Sequence, residues 1–226
     1  MKKIWFVAFA YWVTVSLLTC WLYPCMLSDV ISRYAPMADA FARGDWAYAF
    51  HPRFGVLFQC ISGSLAWLGL KGDCACQVTA ILFLSLAAVP LWCLARKLFD
   101  EEIAWWSVAM LLVCENFFAN AMDGLRDDGK CLAFALIAWG AVSARTRWIG
   151  LGLFVLTSLV SYGFALGTSI LFVWWVLQLA TREPRRLVLP TLGWGLGTAA
   201  VTVMVHAFTK HWLPAPHFIK YVGDWL

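Results

Sequence analysis

The sequence predicts an all-α bundle of membrane-spanning helices, and three observations point to it. Of 226 residues, 62% are hydrophobic and 13% charged, with a mean hydropathy of +0.75. A water-soluble domain does not have that composition. Apolar residues gather in seven runs, at 4–23, 74–95, 103–121, 131–144, 148–164, 165–180 and 187–207, and a helical crossing takes roughly 20 such residues. The runs lack the alternation of barrel strands, and backbone in hydrocarbon must satisfy its own hydrogen bonds, which leaves helices. No internal repeat, low-complexity tract or Ser/Pro-rich linker divides the chain, so 1–226 reads as one domain.

The first run follows Lys2-Lys3, the pattern of a secretory signal. It is too long for one, lacks a small-x-small cleavage site near Cys20, and is followed by further runs, so it reads as an uncleaved first crossing. With the amino terminus in the cytoplasm, the short basic connections Arg96-Lys97, Arg145 with Arg147, and Arg182 with Arg185 and Arg186 all fall inside, as the positive-inside rule requires. This works only if the apolar stretch 54–70, interrupted by Gly55, Ser62, Gly63, Ser64 and Gly69, lies in or dips into the interface instead of crossing. The outer face then receives a long first loop, about 24–73, the turn 123–130 and the stretch 208–226. Within that loop, Asp29 is placed to cap a helix, Tyr34, Met37, Ala38 and Phe41 recur at helical spacing, and Gly44 is placed to end it.

Charge and cysteine usage narrow the function classes. The net charge is +4 and no basic run is longer than Arg185-Arg186, so the footprint of a nucleic-acid binder is missing. Cys20, Cys25, Cys60, Cys74, Cys76, Cys93, Cys114 and Cys131 sit mainly in apolar segments and read as small hydrophobes. Cys74 and Cys76 are spaced CxC, without a paired-His motif, so no metal site is predicted. Many of the fifteen tryptophans, Trp5, Trp21, Trp105, Trp148, Trp212 and Trp225 among them, flank run ends as an aromatic belt does. Glu115 is the one carboxylate inside an apolar run, with Asn116 and Asn120 after it. An acid there forms an interhelical contact or edges a substrate cavity.

The stretch 29–46, DVISRYAPMADAFARGDW, resembles the first periplasmic loop of the GT-C glycosyltransferases, the polytopic enzymes related to protein O-mannosyltransferases and to the aminoarabinose transferase that modifies lipid A. Their first crossing is followed by an acidic residue, a Tyr-Ala helix, a Gly-Asp-Trp turn and a juxtamembrane helix. Leu94-Ala95-Arg96-Lys97-Leu98-Phe99 is similar to a cytoplasmic turn of that family, and Asp123-Gly124-Leu125-Arg126-Asp127-Asp128 falls where the family has a second acidic loop. The resemblance covers roughly residues 1–145. It departs in two ways: Val30 and Ile31 occupy positions where relatives often carry an Asp-Glu pair, and many relatives are much longer, with a soluble periplasmic domain.

The resemblance implies a multi-pass protein of the bacterial inner membrane that moves a sugar from a polyprenyl-phosphate donor to a lipid, glycan or protein acceptor at the outer face. A divalent cation is left open. Such a transfer wants a carboxylate to accept the acceptor's proton and cations to neutralise the departing lipid phosphate. Asp29 is the expected base, although an Asp there also serves simply as a helix cap. Asp123, Arg126, Asp127, Asp128 and Lys130 are expected to position substrate and hold phosphate, or to form an ordinary solvated turn. Arg33, Arg53 and His51 are expected either as alternative phosphate contacts or as ordinary loop cations near lipid head groups, and His206, His211 and His217 stand with Lys210 and Lys220 either where the family has a donor-binding loop or simply as interfacial residues. The competing class is non-catalytic: a truncated relative, an assembly partner, or a transporter of lipid-linked substrate. A transporter would show repeated halves with matching helix breaks, and only 162–167 and 193–197 are glycine-rich enough to suggest one.

Overall fold

A computed structural model describes residues 1–23, 27–50, 55–159, 163–181 and 183–209, and among them all regular structure is helical. The first helix, α1 (Lys2–Leu22), buries Ile4, Ala8, Ser16 and Thr19, while Phe6, Phe9, Leu17, Leu18, Trp21 and Leu22 face outward. Such an apolar exterior suits lipid and not water. Its inward aromatics are anchored by their polar tips: the Tyr11 hydroxyl donates to the Leu112 carbonyl at 2.9 Å and the Trp12 indole to that of Val78 at 3.2 Å.

The first loop is mostly helical. A π-helical turn, Val30–Tyr34, runs without a break into α2 (Ala35–Ala42). Pro36 lacks the amide that would bond Ser32 and crowds that carbonyl, so a widened turn just before it fits the sequence. Asp29 was expected to cap this helix. It does not: its backbone is already helical, at φ −65° and ψ −35°, and its side chain makes no cap bond. Gly44, at φ +78°, ends α2 as expected, because a side chain there would strain the left-handed backbone. The Asp45 carboxylate then caps α3 (Trp46–Ala49) by accepting the Tyr48 amide at 3.3 Å. The stretch read as interfacial holds α4 (Val56–Trp67), 12 residues long, packed on α2 and on the next helix.

That helix, α5 (Gly72–Leu98), is the axis of the fold. It has 27 residues and is buried on nearly every side, spanning about 40 Å at 1.5 Å per residue. Around it pack α1, α6 (Glu101–Val113), α7 (Glu115–Met122) and α8 (Asp127–Val142). Then α9 (Thr146–Leu159) packs on α8, and α10 (Gly163–Ala180) and α11 (Val188–Thr209) pack on α9. The α9–α11 approach depends on glycine. A methyl on Gly193 would collide with the Gly150 carbonyl, and one on Gly197 with Thr157. Small residues at one face let membrane helices meet backbone to backbone. Gly193–Gly197 is therefore a packing seam between straight helices in the described chain, not a helix break.

Length tempers the expectation of seven crossings. Among the described residues four helices are long and apolar enough to span a membrane, or five if α6 and α7, bent by 49°, count as one. The runs 131–144 and 148–164 correspond to α8 and α9, of 16 and 14 residues. At 1.5 Å per residue these reach about 24 and 21 Å, short of a hydrocarbon core of roughly 30 Å. Glu115 also differs from expectation. Cys114 is extended, at φ −61° and ψ 123°, the run breaks there, and Glu115 opens α7 as an exposed side chain. A carboxylate in the first turn of a helix is favoured by the helix dipole, so it needs neither an interhelical partner nor a cavity.

Candidate functional site

The cysteines do not all behave as hydrophobes: Cys20, near the end of α1, is disulfide-bonded to Cys74, at the start of α5. The bond pins two antiparallel helices at one end of the bundle and closes the first loop at its base. The pairing escaped the sequence because eight cysteines in apolar segments look alike until the fold brings two together. Cys60, Cys93, Cys114 and Cys131 are free. No group of His, Cys, Asp and Glu able to hold a metal occurs among the described residues.

Just beyond the disulfide, Gln77 of α5 is 2% exposed. Its amide donates to the Tyr23 carbonyl at 3.1 Å and to the Met122 carbonyl at 2.7 Å, joining the ends of α1 and α7 to the axis. The turn after α7 is seated on the same place: Gly124, at φ +77°, lies so close that a side chain would press on Cys76 and the Gln77 backbone. A Gln inside an apolar run is a signal that the sequence offered, since an amide in such surroundings needs partners. Gln77 therefore fixes where the acidic turn stands relative to the first loop.

Two groups of expected site residues meet there. From the first loop, the Arg33 guanidinium pairs with the Asp29 carboxylate at 3.0 Å, one helical turn apart and about half exposed. From the acidic turn, Arg126 lies over the Tyr34 ring, 5.7 Å from its centroid, and Lys130 pairs with Asp127 at 2.6 Å. Burial raises the Tyr34 hydroxyl above its usual pKa; the Arg126 and Arg33 charges oppose that, while Asp29 and Asp127 add to it. All four charges therefore reach one phenol. Tyr34 itself is 5% exposed and its ring packs on Phe58 of α4 with centroids 5.8 Å apart.

The expected turn residues separate into distinct places. Asp123 ends α7, its amide bonded to the Ala119 carbonyl at 2.8 Å. Asp127, Asp128 and Lys130 belong to the first turn of α8, so the reading of a wholly solvated turn gives way. Asp128 is 0% exposed, and neither of its carboxylate oxygens has a hydrogen-bond partner among the described residues. A buried carboxylate without partners is costly when charged. Arg53 and His51, with His211, His217, Lys210 and Lys220, lie outside the described residues. His206 is part of α11, half-buried.

Searches against protein-family models, curated proteins and solved structures found no match to this chain.

Proposed function

We propose that this chain is a membrane glycosyltransferase that moves a sugar from a polyprenyl-phosphate donor to a lipid, glycan or protein acceptor at the extracytoplasmic face. The observation that carries the reading is the gathering of Asp29 and Arg33 with Arg126 and Asp127 around Tyr34. It joins, at one end of the bundle, the two loops that the resemblance to GT-C enzymes singles out. The disulfide supports the same orientation, since such bonds form in oxidising compartments, and it lies at the end opposite the basic connections.

In this reading Asp29, oriented by its pairing with Arg33, takes the acceptor's proton while the acceptor oxygen bonds to the anomeric carbon. The bond from that carbon to the phosphate oxygen breaks, and the lipid phosphate leaves with the electron pair. Arg126, Arg33 and Lys130 supply positive charge to that leaving group, a guanidinium offering a planar fork that matches phosphate oxygens. The test is transfer of radiolabelled sugar from a panel of polyprenyl-phosphate donors by the purified chain. Wild-type transfer that disappears in Asp29→Asn with folding intact supports the reading, whereas undiminished transfer removes Asp29 as the base.

Asp128 favours a second reading, a proton-coupled carrier of lipid-linked substrate. A buried carboxylate in a membrane protein commonly marks a proton path, and this one is wholly buried without a hydrogen-bond partner among the described residues. Flux of a lipid-linked sugar into liposomes, driven by a pH gradient and abolished in Asp128→Asn, would favour that reading over transfer.

A further inference from the structure

The end of the bundle opposite the disulfide contains a cavity of about 310 Å³, roughly twice the size of one that admits benzene. Its walls are apolar: Ile61 of α4, Pro90 of α5, Leu136 and Trp139 of α8, and Trp148 of α9. It reaches the surface of the bundle at Trp5 and Leu151, which are 49% and 42% exposed. Arginines neighbour this wall. In the turn between α8 and α9 the Trp148 amide bonds the Arg145 carbonyl at 3.0 Å, and the Arg147 guanidinium lies over the Trp148 ring at 5.3 Å. Arg145 and Arg96 both act electrostatically on Cys93, whose sulfur is 3.9 Å from that of Met1, another residue of the cavity wall. Arg96 is paired with Glu101 at 3.6 Å, but neither Arg145 nor Arg147 pairs with a carboxylate among the described residues. The Trp148 indole N–H is buried with no acceptor among the described residues.

An apolar slot with two guanidiniums near its Trp148 wall, neither paired with a carboxylate among the described residues, is complementary to an anionic amphiphile. We infer that the cavity holds one acyl chain of an anionic phospholipid from the leaflet at this face, with Arg145 and Arg147 on its phosphate. Basic pockets between membrane helices hold anionic headgroups in this way, and a guanidinium binds phosphate through paired donors. A soluble phosphate would leave the slot unfilled, and a zwitterionic lipid would bring its own cation to compete with the arginines. The inference stands apart from the transferase reading, because the arginines on which it rests follow α8, at the other end of the bundle from Asp29 and Arg126.

Native mass spectrometry of the full chain in non-ionic detergent, titrated with dioleoyl phosphatidylglycerol or dioleoyl phosphatidylcholine, tests it. Phosphatidylglycerol should bind more tightly, and Arg145→Gln and Arg147→Gln should each weaken it about fivefold while leaving phosphatidylcholine unchanged. Leu151→Trp, which blocks the opening, should weaken both lipids, and millimolar inorganic phosphate should displace neither. Equal affinity for the two lipids, a preference that survives the double substitution, or displacement by phosphate would each overturn the inference. Should the glutamine variants misfold, Arg145→Lys with Arg147→Lys, expected to keep the preference, and Leu151→Trp, expected to lose binding, decide the matter.

Discussion

The two ends of this bundle use charge differently. At the disulfide end Asp29 is paired with Arg33 and Asp127 with Lys130, while Asp128 is buried. At the other end Arg145 and Arg147 stand by tryptophan and an apolar cavity. Mixed charge in a pinned, partly buried setting suits chemistry, in which a proton moves one way and a phosphate is held. Cations over an apolar slot suit retention of a lipid, for which nothing needs to react. On the proposed readings the contrast puts reaction at one end and lipid anchoring at the other, and substitutions at each end can separate the two.

The largest effect is expected at the site of the proposed chemistry. Asp29→Asn should lower transfer by about 10² to 10⁴, the usual contribution of a general base, and should leave phosphatidylglycerol binding unchanged. Arg145→Gln with Arg147→Gln should do the reverse. If either the single or the double variant moved both readouts equally, the division between the ends would fail.

The disulfide marks a structural difference between the ends. Cys20→Ser opens a 54-residue separation and should cost about 2 to 4 kcal/mol, measured as a lower thermal midpoint in detergent. Cys93→Ser, at the opposite end, replaces a free thiol that is 9% exposed and should cost no more than about 1 to 3 kcal/mol, the range for a buried polar group left unpaired. A Cys20→Ser protein as stable as wild type would show that Gln77 alone holds the loop base.

Asp128 discriminates between structural and functional burial. Asp128→Asn keeps the volume and removes the cost of a buried acid, so stability should hold or rise by about 1 to 3 kcal/mol while transfer falls. A lower thermal midpoint would mean that the carboxylate has a structural partner, and the functional reading of its burial would lapse.

How much of this was legible in the sequence follows from which forces act locally. The apolar runs showed where helices lie because hydrocarbon sorts residues by hydropathy alone, and Gly44 and the Arg33-Tyr34 helix could be read because turn and helix signals are short-range. The break at Cys114 was hidden because no Gly or Pro marks it. Of the neighbours Asp127 and Asp128, nothing in their spacing says which turns inward; the packing of α8 decides. The pairing of Cys20 with Cys74, the double role of Gln77 and the collision surfaces of Gly193 and Gly197 depend on which helices become neighbours. That information lies in contacts between distant segments.

The smallest expected effect compares two cation–π contacts, one at each end. Arg126 lies 5.7 Å from the Tyr34 centroid and Arg96 lies 5.0 Å from that of Trp92. Contacts of this kind are worth about 0.5 to 1 kcal/mol where water reaches them, with tryptophan the better partner. Arg96→Gln should therefore lower the thermal midpoint slightly more than Arg126→Gln, as it also loses the pairing with Glu101, itself worth about 0 to 1 kcal/mol at an exposed position. Transfer should show the opposite order: Arg126→Gln removes positive charge from the place where the lipid phosphate would depart, and Arg96→Gln acts at the far end. Differential scanning fluorimetry and the sugar-transfer assay on the same two variants give both orders. If the two orders agreed, Arg126 would be a stabilising contact only, and the phosphate-holding role would pass to Arg33 and Lys130.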